Sequence, residues 1–174
     1  SCYNQNLLRK YYGESMNILI TGGAGYIGSV LCSALLKDGH SVQVLDNLMY
    51  RQVSVAHLIH NKMFSFEKID VRDKLGVKKF LQTADVVIPL ASIVGAPACN
   101  QDPALAKSVN YDATVWLLNQ LSRQQIVLMP TTNSAYGLGL GQEYCTEKSP
   151  LNPISTYAQD KVAVEKVLME RELA

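Results

Sequence analysis

The segment TGGAGYIG, residues 21–28, constrains the fold of this chain more than any other feature of the sequence. It follows the apolar run NILIT directly and opens a segment with helical spacing. Gly23, Gly25 and Gly28 satisfy GxGxxG, and Gly22 with the last two satisfies GxxGxxG. Glycine in such a turn permits positive φ, close approach of a pyrophosphate and tight packing of helix on strand. The segment therefore predicts a dinucleotide-binding turn, with a merely tight turn as the alternative.

Apolar runs of strand length alternate with helical segments along the rest of the chain. The predicted strands cover residues 17–21, 41–46, 64–70, 85–91 and 126–131. The predicted helices lie near residues 26–39, 52–61, 73–83, 104–123 and 155–173. The last two strands are almost continuously apolar, as strands covered on both faces are. This order predicts an α/β fold, a Rossmann-type doubly wound parallel sheet with helices on both faces.

The amino-acid composition limits which binding partners and which cellular compartment we expect for this chain. The chain has 174 residues, 48% of them apolar, and a net charge of +1, which argues against nucleic acid or an acidic membrane surface as a main partner. No apolar run approaches the roughly 18 residues that a membrane span requires. The four cysteines, Cys2, Cys32, Cys99 and Cys145, have no paired or ligand-like spacing. We therefore expect reduced thiols, a cytoplasmic location and no metal site.

Acidic residues follow the second and third predicted strands. Asp46 lies 18 residues after Gly28, close to the spacing of about 20 at which a carboxylate accepts the ribose hydroxyls of a dinucleotide. Because the same carboxylate repels a 2′-phosphate, Asp46 predicts NAD rather than NADP, although Arg51 nearby is a residue that can accept such a phosphate. Asp70 is expected to reach the adenine edge, with a simple strand-end cap as the alternative.

Tyr157 and Lys161, in STYAQDK, lie four residues apart and hence on one face of a predicted helix. Any helix can show this spacing, so its meaning depends on the glycine turn in the same domain. A phenol ionises near pH ~10. A neighbouring ammonium and an oxidised nicotinamide favour the phenolate, which makes Tyr157 a candidate general base. Lys161 is also expected to hydrogen-bond the nicotinamide ribose.

Seven motifs occur in a recognisable order: TGGAGYIGS, DN, DVRD, LAS, NYDAT, TTNSAYG and NPISTYAQDK. With them the chain resembles the extended short-chain dehydrogenase/reductase family, in its NAD-dependent epimerase/dehydratase branch, over about residues 16–173. It departs from the usual pattern at Pro89-Leu90-Ala91, where His-Leu-Ala or Phe-Ala is more common, and at Ala113, where a Gly often precedes the Thr. The resemblance and the motifs together predict a cofactor site made of Gly22, Gly25, Tyr26, Ile27, Gly28, Asp46, Asn47, Asp70, Val71, Leu90, Ala91, Ser92, Tyr157 and Lys161.

The resemblance also implies a catalytic role for Thr132, which lies four residues before the Tyr of the Tyr-Gly turn and 25 residues before Tyr157. In the family a Ser or Thr here bonds the sugar C4 hydroxyl and helps to relay its proton to the tyrosine. Hydride then passes from C4 to the nicotinamide and leaves a 4-keto sugar. Taken singly, Thr132 could instead be a strand-end hydroxyl and Tyr157 a core aromatic.

Asn133 and Ser134 follow the predicted catalytic Thr132. Dehydratases of the resembling branch carry Asp-Glu at these positions, and its decarboxylases keep the Glu. An amide and a hydroxyl do not abstract a carbon-bound proton at useful rates near neutral pH. Dehydration and decarboxylation are therefore disfavoured for this chain. We therefore predict an NAD-dependent nucleotide-sugar epimerase acting through a 4-keto sugar. The alternatives are an NAD(P)-dependent nucleotide-sugar reductase or dehydrogenase, and a non-catalytic NAD-binding sensor module.

The expected domain organisation is simple. Residues 1–15 are either a genuine N-terminal extension or an added remnant, and residues 16–174 form the NAD-binding domain with the Tyr–Lys pair. The resemblance implies a smaller C-terminal lobe that grips the nucleotide sugar, which we expect to be absent from this chain. It also implies a homodimer through the helices near 104–123 and 155–173.

Overall fold

A computed structural model describes residues 14–137 and 144–173 of the chain. The expectation for residues 1–15 therefore falls almost wholly outside the described residues. Within them, no helix is long and apolar enough to cross a membrane.

Across residues 14–137 and 144–173, five parallel strands form one sheet, in the order β3-β2-β1-β4-β5. Their bounds are β1 Asn17–Thr21, β2 Ser41–Asp46, β3 Phe64–Lys68, β4 Val86–Pro89 and β5 Ile126–Val127. The strand order reverses at β1, which pairs with β2 on one side and β4 on the other. In open α/β sheets, ligands bind outside the carboxyl ends of the strands at such a reversal. The predicted parallel α/β fold is confirmed, and it places the glycine turn at this position.

In the described residues, six α-helices connect or cover the strands. They are α1 Tyr26–Lys37, α2 Lys74–Leu81, α3 Ala96–Gln101, α4 Pro103–Lys107, α5 Thr114–Gln120 and α6 Thr156–Leu173. A π-helical turn at Ser108–Ala113 joins α4 to α5, and short 3₁₀ turns occur at Ala56–Leu58 and Asn133–Tyr136. The carboxylate of Asp73 caps α2 by accepting the Gly76 N–H at 3.0 Å.

Two predicted helices differ from the structure. The helix expected over 52–61 is wrong, because only the 3₁₀ turn Ala56–Leu58 forms there. Val53 and Ile59 are both more than half exposed, so the apolar residues of this segment do not make one buried stripe. The single helix expected over 104–123 is divided by the π-helical turn and ends at Gln120.

The hydrophobic core lies on both faces of the sheet. Ile18 and Ile20 of β1 point to the face covered by α1, and Leu19 points to the face covered by α2, α5 and α6. Burying a side chain of this size stabilises the fold by about 1.5–3 kcal/mol. On the second face Val164 of α6 is 1% exposed. Its burial fixes α6 against the sheet and so determines where the first turn of that helix, with Tyr157, lies.

Candidate active site

The glycine turn closes the carboxyl end of β1 against its two neighbouring strands. Gly22 has φ +71°, and its N–H donates to the Leu45 carbonyl at 2.7 Å. A Cβ at Gly22 would lie 2.5 Å from the backbone nitrogen of Ala91, in the loop after β4. Both the backbone conformation and the close approach of that loop therefore require glycine at this position.

Gly25 and Gly28 are glycines for different reasons. A Cβ at Gly28 would lie 2.5 Å from Gly23 Cα, so close packing of α1 on the turn requires glycine there. Gly25 has φ −76°, which any residue adopts, and a Cβ there would meet only the Gly22 carbonyl oxygen, at 3.3 Å. A Cβ at position 25 would need the Gly22 carbonyl oxygen to shift by a few tenths of an ångström, so protein packing opposes a side chain there much less than at Gly28. A ligand lying against the turn would oppose one further.

The N-terminus of α1 opens toward the same region. Gly25 is its N-cap residue and provides no side-chain acceptor for the first N–H groups of the helix. Tyr26 and Ile27, the first two helical residues, are 87% and 60% exposed. Unpaired N–H groups and the helix dipole make such an end suitable for an anion.

Asp46 joins the glycine turn to the loop after β2. Its Oδ2 accepts the Ala24 N–H at 3.0 Å, and its Oδ1 accepts the Leu48 N–H at 2.8 Å. A carboxylate has about four acceptor positions, so these two bonds leave capacity for ribose hydroxyls. The next residue, Asn47, donates from Nδ2 to Asp70 Oδ2 at 3.0 Å.

A cleft of about 510 Å³ lies at the carboxyl ends of the strands, and most of the predicted site residues line it. Of the predicted catalytic and cofactor residues, all but Asp70 and Thr132 line it: Gly22, Gly25, Tyr26, Ile27, Gly28, Asp46, Asn47, Val71, Leu90, Ala91, Ser92, Tyr157 and Lys161. Sequence reasoning missed further wall residues, namely Met49, Tyr50, Gln52, Ile69, Ile93, Val109, Pro130 and Thr131. Most of these are apolar or lie in loops, and apart from Thr131, which belongs to TTNSAYG, none lies in a motif that distinguishes it from an ordinary packing residue.

The carboxylate of Asp70 already accepts hydrogen bonds from a neighbouring residue of the protein. Arg72 binds its carboxylate through Nε at 2.9 Å, through a terminal guanidinium nitrogen at 2.8 Å and through its backbone N–H at 2.9 Å. The side-chain hydrogen bond from Arg72 is the main cause that holds the pKa of Asp70 well below its ordinary value. Asp70 does not line the cleft, whereas Val71 does. The adenine contact of Asp70 therefore stays a prediction.

Tyr157 and Lys161 enter this cleft from the first two turns of α6. Lys161 is 8% exposed, and its Nζ lies 6.0 Å from the centre of the Tyr157 ring. The Tyr157 ring packs against a buried cluster that includes Ile93 and Cys99. Helical spacing predicted this pair on one helix face, and the structure brings that face into the same cleft as the glycine turn.

Burial affects the proton affinity of both members of the pair. It raises the pKa of Tyr157 above its ordinary value, a hydrogen bond from Ser92 acts to lower that pKa, and Cys99 adds a smaller increase. Burial lowers the pKa of Lys161. Burial thus opposes ionisation of Tyr157. The expected preference for the phenolate depends on the positive charge of an oxidised nicotinamide as well as on that of Lys161, and it stays a prediction.

Asn110, in the π-helical turn, holds the loop after β4. Its Oδ1 accepts the Ile93 N–H at 2.8 Å, and its Nδ2 donates to the Ile93 carbonyl at 3.0 Å. The same Oδ1 accepts the Ser92 hydroxyl at 2.9 Å. Asn110 is 2% exposed. The Asn110 side chain thus connects the π-helical turn to the loop that forms part of the cleft wall. Asn110 belongs to the motif NYDAT, but the sequence of that motif did not predict this role.

Replacing Asn110 with Ala is expected to lower the free energy of unfolding by about 2–4 kcal/mol, because it leaves the buried Ile93 N–H and C=O unpaired. Denaturant unfolding measures the loss. The matched control is Asn119→Ala, at an exposed position of α5, which is expected to change stability by less than about 0.5 kcal/mol. Equal losses in the two variants would contradict a structural role for the Asn110 hydrogen bonds.

Thr132 lies at the end of the extended segment after β5, where it caps a 3₁₀ turn. Its hydroxyl oxygen accepts the Ser134 N–H at 3.2 Å. The neighbouring Pro130 and Thr131 line the cleft, but Thr132 does not. A strand-end hydroxyl bonding the backbone was the alternative interpretation of this residue, and the structure shows that bond. The catalytic role of Thr132 stays a prediction.

No cluster of three or more His, Cys, Asp or Glu residues suitable for a metal ion occurs in the part of the chain that the structure describes. The cysteines described there, Cys32, Cys99 and Cys145, are free thiols.

Comparison with known proteins agrees with this geometry. The chain is 32% identical to UDP-glucose 4-epimerase 2 of Oryza sativa subsp. japonica over 164 residues, which are 89% of this chain and 40% of that protein. Among solved structures, it is similar to the UDP-N-acetylglucosamine 4-epimerase of Methanobrevibacter ruminantium M1, with a TM-score of 0.84 and 26% identity. That match covers 92% of this chain and 52% of the other.

A third match, the UDP-glucuronic acid 4-epimerase of Bacillus cereus solved with UDP-glucuronic acid and NAD, has a TM-score of 0.80 and 30% identity. It covers 89% of this chain and 52% of that one. The chain thus spans about half the length of the proteins it matches, or somewhat less. The fold, the cleft and the ordered motifs agree with a family match over residues 18–172, and the chain belongs to the NAD dependent epimerase/dehydratase family.

Proposed function

We propose that this chain provides the NAD site and the proton-transfer residues of a nucleotide-sugar 4-epimerase. One observation carries the proposal: Tyr157 and Lys161 line the same cleft as the glycine turn and Asp46. A phenol and an ammonium in the wall of a dinucleotide cleft are suited to oxidising an alcohol and reducing the resulting ketone. The similarity to three 4-epimerases supports this proposal.

The residues present fit NAD. Gly25 is the N-cap of α1 and has no side chain, so a pyrophosphate could approach the backbone of the turn closely there. Asp46 has acceptor capacity for the adenosine ribose and carries a charge that disfavours a 2′-phosphate. Lys161 lies in the cleft wall beside Tyr157, where it would hydrogen-bond the other ribose.

When bound, NAD would supply the nicotinamide that exchanges a hydride with the sugar C4. In the proposed mechanism Tyr157 accepts the proton of the C4 hydroxyl as the hydride leaves and donates it back as the ketone is reduced. Lys161 supplies positive charge beside the phenol and so favours its ionised form. Thr132 is proposed to bond the C4 hydroxyl, although its hydroxyl caps the turn at Ser134 in the described chain.

The two residues after Thr132 favour epimerisation over the other reactions of the family. Asn133 and Ser134 are exposed, and neither can act as a base toward a carbon-bound proton near neutral pH. Inverting C4 needs no further acid–base pair, because the keto sugar only has to turn over before hydride returns. The names of the matched proteins favour a UDP-sugar as substrate.

Two further expectations belong to this proposal. A homodimer would use the helices near 104–123 and 155–173, the first of which is α4, the π-helical turn and α5 in the structure. A cytoplasmic location is consistent with the free thiols of the described residues.

The proposal is tested with the full-length protein, NAD or NADP, and a panel of UDP-, GDP- and dTDP-hexoses. We expect C4-epimer formation with NAD and no net release of NADH. Binding of NAD without turnover of any sugar would favour a sensor module, and net NADH formation would favour a dehydrogenase. Higher affinity for NADP than for NAD would exclude the role given to Asp46.

A further inference from the structure

The loop after β2, residues 47–52, forms part of the cleft wall in a strained backbone conformation. Four of its residues line the cleft: Asn47, Met49, Tyr50 and Gln52. Leu48 has φ +57° and Arg51 has φ +54°, a backbone conformation that residues other than glycine rarely adopt. Strain of this kind persists only where the surrounding structure holds the segment in place. The loop therefore depends on the groups that hold its backbone.

Two side chains at the start of the loop hold that backbone. Asp46 Oδ1 accepts the Leu48 N–H at 2.8 Å, and Asn47 Oδ1 accepts the Met49 N–H at 2.9 Å. The second bond requires one orientation of the Asn47 amide, because a reversed amide would turn its NH₂ group toward another donor. Asn47 Nδ2 donates to Asp70 Oδ2 at 3.0 Å, and a carboxylate can only accept. Asp70, in the loop after β3, therefore keeps Asn47 Oδ1 facing Met49.

Arg72 fixes the position of the Asp70 carboxylate. Its Nε donates to Oδ1 at 2.9 Å, a terminal guanidinium nitrogen donates to Oδ2 at 2.8 Å, and its backbone N–H donates to Oδ1 at 2.9 Å. The two side chains are 41% and 28% exposed, and most exposed ion pairs contribute little. This pair differs because the planar guanidinium contacts both carboxylate oxygens and so fixes their orientation. Neither Arg72 nor Asp70 lines the cleft.

We propose that Arg72 is a positioning residue for the adenosine end of the cofactor site. It fixes Asp70, which orients the Asn47 amide. Asn47 in turn holds the strained loop in the form that lines the cleft. The inference rests on the proposed NAD site, in which Asp46 at the end of β2 receives the adenosine ribose. It does not require contact between Asp70 and the adenine.

The first measurement is made on the full-length protein without ligand. Arg72→Met removes the guanidinium but keeps an unbranched apolar side chain. The Met49 N–H is expected to exchange with solvent about fivefold faster in Arg72→Met than in the wild type, as measured by hydrogen-exchange NMR. Arg123→Met, at an exposed position after α5, is the matched control and is expected to leave this rate unchanged. Equal exchange in Arg72→Met and the wild type would overturn the proposal.

The second measurement separates the two halves of the cofactor. ADP-ribose carries the adenosine half, and nicotinamide mononucleotide carries the other nucleoside. Arg72→Met is expected to weaken ADP-ribose binding about fivefold and to change binding of the mononucleotide less than about twofold, as measured by calorimetry. Arg72→Lys should bind ADP-ribose with intermediate affinity, since an ammonium lacks the planar fork. Equal weakening of both ligands in Arg72→Met would indicate a general loss of structure and overturn the proposal.

A double variant tests the path through Asn47. If Arg72 acts through this amide, Asn47→Ala combined with Arg72→Met should bind ADP-ribose no more weakly than Asn47→Ala alone. Additive losses would overturn the proposed path. If the wild type binds neither NAD nor ADP-ribose, the proposed NAD site fails, whereas the exchange rate of the Met49 N–H still decides whether Arg72 holds the loop.

Discussion

Tyr157→Phe is expected to reduce kcat by about a thousandfold while NAD affinity stays within a few-fold of the wild type. The ring that packs against Ile93 and Cys99 is kept, so the fold and the cleft wall are unchanged. Only the hydroxyl that exchanges a proton with the sugar is lost, and general acid–base groups contribute about 10²–10⁴ in rate. Steady-state kinetics on the sugar identified by the panel, with a separate NAD titration, measure the two effects independently.

The matched control for this variant is Tyr50→Phe. Tyr50 lies in the loop after β2, lines the same cleft and is 62% exposed. Removal of its hydroxyl is expected to leave kcat within a few-fold of the wild type. Substantial turnover in Tyr157→Phe, or an equal loss in Tyr50→Phe, would mean that another group accepts the C4 proton.

Gly25→Ala is expected to weaken NAD binding at least about tenfold, equivalent to about 1.4 kcal/mol, with little change in the stability of the ligand-free protein. The backbone φ of −76° suits alanine, and the added methyl group meets only the Gly22 carbonyl oxygen, at 3.3 Å. A pyrophosphate lying against the turn would occupy the space that this methyl group takes. Calorimetric NAD titration and thermal unfolding without ligand measure the two quantities.

Gly28→Ala is the complementary variant, because it is expected to affect the stability of the fold rather than the binding of NAD. Its methyl group would lie 2.5 Å from Gly23 Cα, so this variant is expected to lose stability whether or not NAD is present. If Gly25→Ala binds NAD as tightly as the wild type, the pyrophosphate does not approach the turn at Gly25. A loss of stability in Gly25→Ala as large as that in Gly28→Ala would show instead that packing alone requires both glycines.

Local sequence patterns predicted the parallel sheet well. The strands over 17–21 and 41–46 have the bounds that their apolar runs indicate, since both are paired on two sides and buried. The predicted strand over 126–131 is reduced to β5, Ile126–Val127. It pairs only with β4 in the described chain, and Pro130 cannot donate to a ladder.

Periodicity was less informative where tertiary contacts decide the local structure. The segment 52–61 contains enough apolar residues for a helix, yet most of them are exposed and no continuous face is buried. At Ser108–Ala113 the helix widens into a π-helical turn, and it is from this turn that Asn110 reaches the loop after β4. Helical spacing does not distinguish such a turn from a regular helix.

The sequence by itself determined the glycine turn, the parallel sheet and the Tyr157–Lys161 pair, because each depends on residues that are close along the chain or on a regular period. Only the tertiary structure decided what holds the loop after β4. Ser92 and Ile93 follow β4 and Asn110 lies 18 residues after Ser92, so the hydrogen bonds between them depend on how the π-helical turn packs against the sheet. Contacts of this kind leave no periodic signal, and for that reason the sequence did not predict the role of Asn110.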